Sequence, residues 1–188
     1  MNESYTRLSK VGLWKLLATA SLVLLAVLPV SARAYSYSGY RWSNNVNYVR
    51  YDASVPSSWQ SSNALSNGRR VWNEAGSPFR LNYSSSSGNV VRAGYYGDTG
   101  WLGLTRIWTD GAGRIAKAET KFNRTYHWST SGAAGYYDVQ SVAAHEFGHW
   151  LQLKHSYYPT TMYTSAGKGE TYMRSLHSDD IAGINQAY

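Results

Sequence analysis

The eleven residues HEFGHWLQLKH, His145 to His155, constrain this chain more than any other stretch. They hold three of its five histidines, with Glu146 beside the first. An α-helix turns once in 3.6 residues, so His145 and His149 project from one face and can share one ion. Glu146 then points to the adjacent side, where it can reach an ion-bound water without being a ligand, as expected for H-E-x-x-H. His155 follows His149 by six residues, and a continuing helix would rotate it away from the pair. The chain must therefore reverse after about Leu151 to bring it back. Gln152 stands where such a reversal ordinarily calls for glycine. A non-glycine residue in a left-handed conformation costs about 1–2 kcal/mol, which metal binding can offset. A Gln152→Gly variant is accordingly expected to bind the metal at least as tightly.

The rest of the chain limits what could help. It contains no cysteine, which removes disulfides, thiolate ligands and a cysteine nucleophile. Any metal must be held by His, Asp, Glu or backbone oxygen. Residues 1–34 read as a secretory signal peptide. Arg7, Lys10 and Lys15 precede the uncharged apolar run Leu16 to Val30, and Ala32 and Ala34 form an A-x-A cleavage site before Tyr35. A membrane anchor would need about 20 apolar residues, so no stable membrane association is expected after cleavage, and the product is expected to be secreted.

Cleavage removes four basic residues and one acidic residue, lowering the net charge from +7 to +4. The remaining basic residues are scattered, without the clustered stripe of a nucleic-acid binder, so no nucleic acid is expected as partner. Residues 35–188 are long enough for one domain with a real core.

Periodicity gives the order of elements. Asn44 to Ser54 alternates as a strand does. Ala64, Leu65, Gly68, Val71, Trp72 and Ala75 recur at helical spacing, and Gly76 ends the pattern. Four short β-rich segments follow, Phe79 to Tyr83, Asn89 to Tyr95, Trp101 to Trp108 and Arg114 to Asn123, separated by Gly- and Ser-rich turns. A helix is predicted near Tyr136 to Leu151. The last helix is predicted at SDDIAGINQAY, with Ser178 as N-cap and Asp179 and Asp180 in the first turn, where the helix dipole favours anions. The order strand, helix, four strands, helix, loop, helix reads as α+β, one sheet with helices packed on it.

With these residues in hand, the chain resembles the metzincin zinc proteases, whose pattern is H-E-x-x-H-x-x-G-x-x-H. HEFGHWLQLKHS, PTTMY and LHSDDIAGINQAY are similar to the matrixin branch, as are the upstream segments YDVQSVAAHEFGH, IAKAETKFN and GWLGLTRIW. The resemblance implies a mixed five-stranded sheet with an active-site helix, a second packing helix and a C-terminal helix. It implies that residues 35–188 form a catalytic domain in which His145, His149 and His155 hold one Zn²⁺. It makes Met162 the Met-turn residue, an apolar floor under the metal. GWLGLT then resembles the edge strand that pairs with an extended peptide, with Gly103 and Leu104 as substrate-binding residues. Tyr163, beside Met162, is a candidate for stabilising the oxyanion. Asp179 and Asp180 are either dipole partners or a specific tie to the Met-turn or the new N-terminus.

The implied activity is that of an endopeptidase acting on proteins or peptides, with Glu146 taking a proton from a zinc-bound water. The alternative is a secreted, non-catalytic binding module that keeps the fold; retention of Glu146 argues against it. The sequence departs from the family at Gln152. It also lacks the H-x-D cluster of a structural zinc, so His127 and His177 read as surface or packing residues. Without cysteine, latency by a cysteine switch is not expected. Calcium has no sequence support: Asp98 and Asp110 lie in Gly-bearing loops without EF-hand-like spacing. A monomer is expected. Asn82 and Asn123 begin glycosylation sequons.

Overall fold

A computed structural model describes residues 36–188; the predicted signal peptide lies outside the described residues. Five strands form the mixed sheet: β2 (Val46–Tyr51), β3 (Arg80–Tyr83), β4 (Val90–Gly94), β5 (Gly103–Thr109) and β6 (Arg114–Asn123). They lie in the order β3-β2-β4-β6-β5, and only β5 runs antiparallel, beside β6. A sixth, two-residue strand, β1 (Arg41–Trp42), adds parallel to the start of β6. Two residues are too few to show a period, so the sequence gives no sign of β1. Two further short strands, β7 (Trp128–Ser129) and β8 (Tyr137–Asp138), pair apart from the main sheet.

The predicted packing helix is present as two pieces, α1 (Ser57–Ser61) and α2 (Ala64–Asn73), separated at Asn63, whose φ is 62°. The active-site helix is α3 (Val139–Trp150), and α4 (Ser178–Ala187) closes the chain after one 3₁₀ turn, Tyr172–Arg174. The N-cap of α4 is His177 rather than Ser178: its ring accepts from Asp179 N–H, and Asp180 reaches back to the His177 N–H. A capping box opened by histidine is hidden from a rule that looks for Ser, Thr, Asp or Asn.

The core lies between the sheet and the helices. Val49, Leu81, Val91, Ala93, Ala118 and Phe122 face inward from the strands. They meet Leu65 and Trp72 of α2 and Val142, Phe147 and Trp150 of α3. Ten of the twelve residues of α3 are buried, so it is a central helix with apolar contacts all round. Gly68 allows α2 to approach it closely, because a Cβ there would stand 2.8 Å from Ala144 N and 2.9 Å from Gln140 O. Trp72 Nε1–H then donates to Ala144 O at 2.8 Å. No helix among the described residues is long and apolar enough to cross a membrane.

Candidate metal centre and active site

Helix α3 begins at Asp138, whose carboxylate accepts from Ser141 N–H at 2.8 Å and is gripped by Arg174 at 3.0 and 2.6 Å. This bidentate pair anchors the N-terminus of the helix, while its C-terminal half carries the chemistry. His145 and His149 face the same side, and their rings stand 4.8 Å apart. The helix ends at Leu151, and Gln152 reverses the chain with φ at 63°. The left-handed turn expected from sequence is thus made without glycine, and it returns His155 to the pair. His149 Nε2 and His155 Nε2 are 3.2 Å apart, and one ring nitrogen from each of the three residues lies within 4.8 Å of the others.

Backbone carbonyls decide which nitrogen faces the centre. Thr161 O accepts from His145 Nδ1–H and Leu153 O from His149 Nδ1–H, both at 2.8 Å. A carbonyl can only accept, so both Nδ1 atoms carry the proton and both Nε2 atoms keep their lone pairs. Burial also disfavours the charged rings. It holds His145 at about 3 and His149 at about 4, with the neighbouring imidazoles adding to the effect, and it lowers His155 as well. The result is a set of neutral nitrogen acceptors converging on one point, which is the donor set that suits zinc. Orientation of ligating imidazoles by outer hydrogen bonds is what a metal site requires.

Glu146 is 4% exposed, and burial raises its carboxyl to about 7. Thr105 of β5 donates to Glu146 Oε2 at 2.6 Å. The direction of the bonds behind it is fixed. Trp150 Nε1–H can only donate, and it does so to Thr120 Oγ1 at 2.8 Å; Thr120 lies 2.7 Å from Thr105 Oγ1. Thr105 has a single hydrogen and gives it to Glu146, so Thr120 is the donor to Thr105. Gly103 makes room for the carboxyl, because a Cβ there would stand 2.7 Å from Glu146 Cδ.

Met162 is 1% exposed and lies against Gly148 of α3, where a Cβ would stand 3.2 Å from Met162 Cε. Asp180 fixes this segment: its carboxylate accepts from Thr161 N–H at 2.9 Å, Met162 N–H at 3.3 Å and His177 N–H at 2.9 Å. Of the two roles read for the aspartate pair, Asp180 has the tie to the Met-turn.

Gly103, Leu104 and Tyr163 line one groove of about 980 Å³ together with the three histidines and Glu146. The groove runs between the β5 edge, α3 and the segment after Met162. Asn123 N–H donates to Leu102 O at 2.9 Å, which directs Leu102 toward β6. Antiparallel alternation then leaves Gly103 and Thr105 with main-chain groups on the open edge.

Other sequence candidates fall elsewhere. His127 is exposed and its ring lies near Tyr136. Asp98 accepts from the Tyr126 hydroxyl. Asp110 accepts from Ala112 N–H and from the Arg114 backbone and side chain. Both carboxylates serve protein donors, and among the described residues the histidine triad is the group of three that could hold an ion. The sequon at Asn123 is closed in the folded protein, since Asn123 is 0% exposed and its amide bonds Gly97, Thr99, Tyr96 and Thr125. Sequence reading missed Thr105, Thr120, Asp138 and Arg174 as supports of the site. Thr105, Thr120 and Asp138 lay in segments already singled out, within GWLGLTRIW, IAKAETKFN and YDVQSVAAHEFGH, and only Arg174 lay outside all of them.

Residues 98–188 match the family model for matrixins. The chain is 41% identical over 71 residues to human neutrophil collagenase, covering 37% of this chain and 15% of that protein. It is 38% identical over 71 residues to mouse matrilysin, covering 37% and 26%. It is 35% identical over 86 residues to human matrix metalloproteinase-19, covering 42% and 17%. The matched part thus spans about a quarter or less of each relative. With the family pattern carried on a buried helix against a mixed sheet, the chain contains a matrixin-like metzincin domain, matched over residues 98–188.

Proposed function

We propose that this chain is a secreted zinc-dependent endopeptidase, with residues 35–188 as its catalytic domain and residues 1–34 as its export signal. The observation that carries the reading is Glu146: a buried carboxyl on the groove wall, one position from a ligand and held by a directed hydrogen-bond chain. A module that only bound its partner would have no use for a carboxylate buried at that cost.

His145, His149 and His155 would hold the zinc through the ring nitrogens that face one another. When bound there, zinc would polarise a carbonyl as a Lewis acid and lower the pKa of a water toward 7. Glu146 takes the proton from the attacking water and returns it to the leaving amine. The open edge at Gly103 and Leu104 receives an extended peptide as an added strand. Tyr163, which lines the same groove, would donate to the developing oxyanion. Protein or peptide substrates fit this reading, together with the sequence-based expectations of no nucleic acid, no stable membrane contact and a monomer.

The test is casein hydrolysis by the protein recovered after expression of the full chain, with and without a zinc chelator. Hydrolysis that stops on chelation and resumes with zinc is expected. Zinc-loaded protein that leaves casein intact would instead favour a binding module. N-terminal sequencing of the exported protein should begin at Tyr35.

A further inference from the structure

Gln152 departs from the glycine of the family pattern, and the structure gives it a partner. Its side-chain Oε1 accepts from the Ser38 hydroxyl. The surrounding backbone is paired as well: Ser38 N–H donates to Gln152 O at 3.2 Å, and Lys154 N–H donates to Ser36 O at 2.8 Å. Between them, Tyr37 and Leu153 form an antiparallel bridge, and Tyr37 packs at the edge of the core. Residues 36–38 are thus laid along residues 152–154.

That short stretch does two things for the triad. Leu153 O fixes the proton of His149 on Nδ1, and Lys154 leads directly into His155. Beyond His155 the chain is held again, by Ser156 N–H donating to Met162 O at 2.7 Å. The third histidine therefore hangs between two tethers, one of which is the N-terminal segment.

We propose that residues 36–38 are a strap that sets the third metal ligand, with Ser38 and Gln152 as its positioning residues. Glutamine is used at a left-handed position because its side chain is the strap's anchor, an exchange glycine cannot make. This reverses the expectation for Gln152→Gly. Relief of backbone strain is offset by loss of the anchor, and zinc binding weakens. The inference rests on the triad's being a zinc site, and the experiment separates the two.

The measurement is zinc affinity and zinc release rate, by competition with a chromogenic chelator, in protein purified after expression of the full chain. Ser38→Ala should weaken binding roughly three- to tenfold, the factor that one hydrogen bond supplies. Ser38→Thr, which keeps the hydroxyl, should bind as the unmodified protein does. Gln152→Gly should lose a similar factor, and adding Ser38→Ala to it should change nothing further, because both remove one interaction. The metal-free melting temperature should fall in Ser38→Ala by no more than the few degrees that one hydrogen bond supplies and stay unchanged in Ser38→Thr. Zinc release should quicken only in the variants that lose the anchor, a split that a merely structural role would not produce. Unchanged affinity in Ser38→Ala, or losses that add in the double variant, overturn the strap. Absence of zinc binding in the unmodified protein overturns the metal site itself.

Discussion

A carboxyl buried beside apolar groups lowers its energy by holding a proton or by finding donors, and Glu146 is provided with both. Burial pushes it up to about 7, while the Thr105 hydroxyl favours the ionised form. Thr105→Val should therefore reduce turnover by about tenfold through misplacement of the base, with zinc retained, and Thr105→Ser should restore it. Metal analysis beside the casein assay separates these outcomes. Glu146→Gln should keep zinc and lose turnover by at least about a hundredfold, as removal of a general base does; comparable activity in the loaded variant would refute the role. The same residues set an acid dependence in the metal-free protein. His145 and His149 are lowered on folding, so their stability contribution is present above 6.5 and is lost as pH falls toward 4 and 3. Glu146 is raised, so its contribution is present below 4.5 and is lost as pH rises through about 7. Between 4.5 and 6.5 the unfolded chain thus binds two more protons at the histidines and one fewer at Glu146. Stability should fall on acidification across that range, and more steeply in Glu146→Gln, where the opposing contribution is gone. Urea unfolding of the metal-free proteins across that range measures both slopes.

At the scale of elements, the site depends on how three segments are pinned to α3: the β5 edge, the turn at Gln152 and the Met-turn. The last is held by Asp180, a carboxylate 1% exposed that accepts three backbone N–H groups. Asp180→Ala should cost about 3 kcal/mol, since buried donors are left without partners. Because Thr161 O orients His145, zinc should also bind more weakly; a loss of stability with unaltered zinc affinity would separate the two roles. Much of this was legible in the sequence. The histidine spacing required a helix and a reversal, and Val46–Tyr51 is a strand where one was expected, although its burial does not alternate. What could not be read depends on chain crossing. Asp180 bonds residues 18 and 19 positions earlier, Thr105 reaches Glu146 across 41 positions, and Ser38 meets Gln152 across 114. No local period records such partners. Gly148 shows the limit well: in the motif it looks like a spacer, yet its missing side chain is where Met162 and Trp72 sit, with Trp72 Cζ2 only 2.7 Å from a Cβ. Gly148→Ala should overpack this junction and destabilise by about 1–3 kcal/mol, read from the urea midpoint.

Considered as one body, the domain places its least favourable groups at its centre and holds them there without a disulfide. Three imidazoles face one another, with His149 Nε2 and His155 Nε2 3.2 Å apart, and Glu146 is buried alongside. A cation at that point would be held by all three rings, and the unfolded chain cannot assemble the three ligands in one place. Zinc binding is therefore folding free energy. At a free concentration a thousand times its Kd, a ligand that binds only the folded state adds about 4.1 kcal/mol. In a domain of this size each kcal/mol shifts the melting temperature by about 2–4 °C. Chelation should thus lower the midpoint by roughly 10 °C, zinc should restore it, and magnesium should not, because neutral imidazoles are poor ligands for a hard cation. Calorimetry of the protein in chelator, zinc and magnesium tests this without reference to catalysis. A midpoint indifferent to zinc would mean that the triad is held in place by its carbonyls and turns alone, and that the domain does not draw on the metal for its stability.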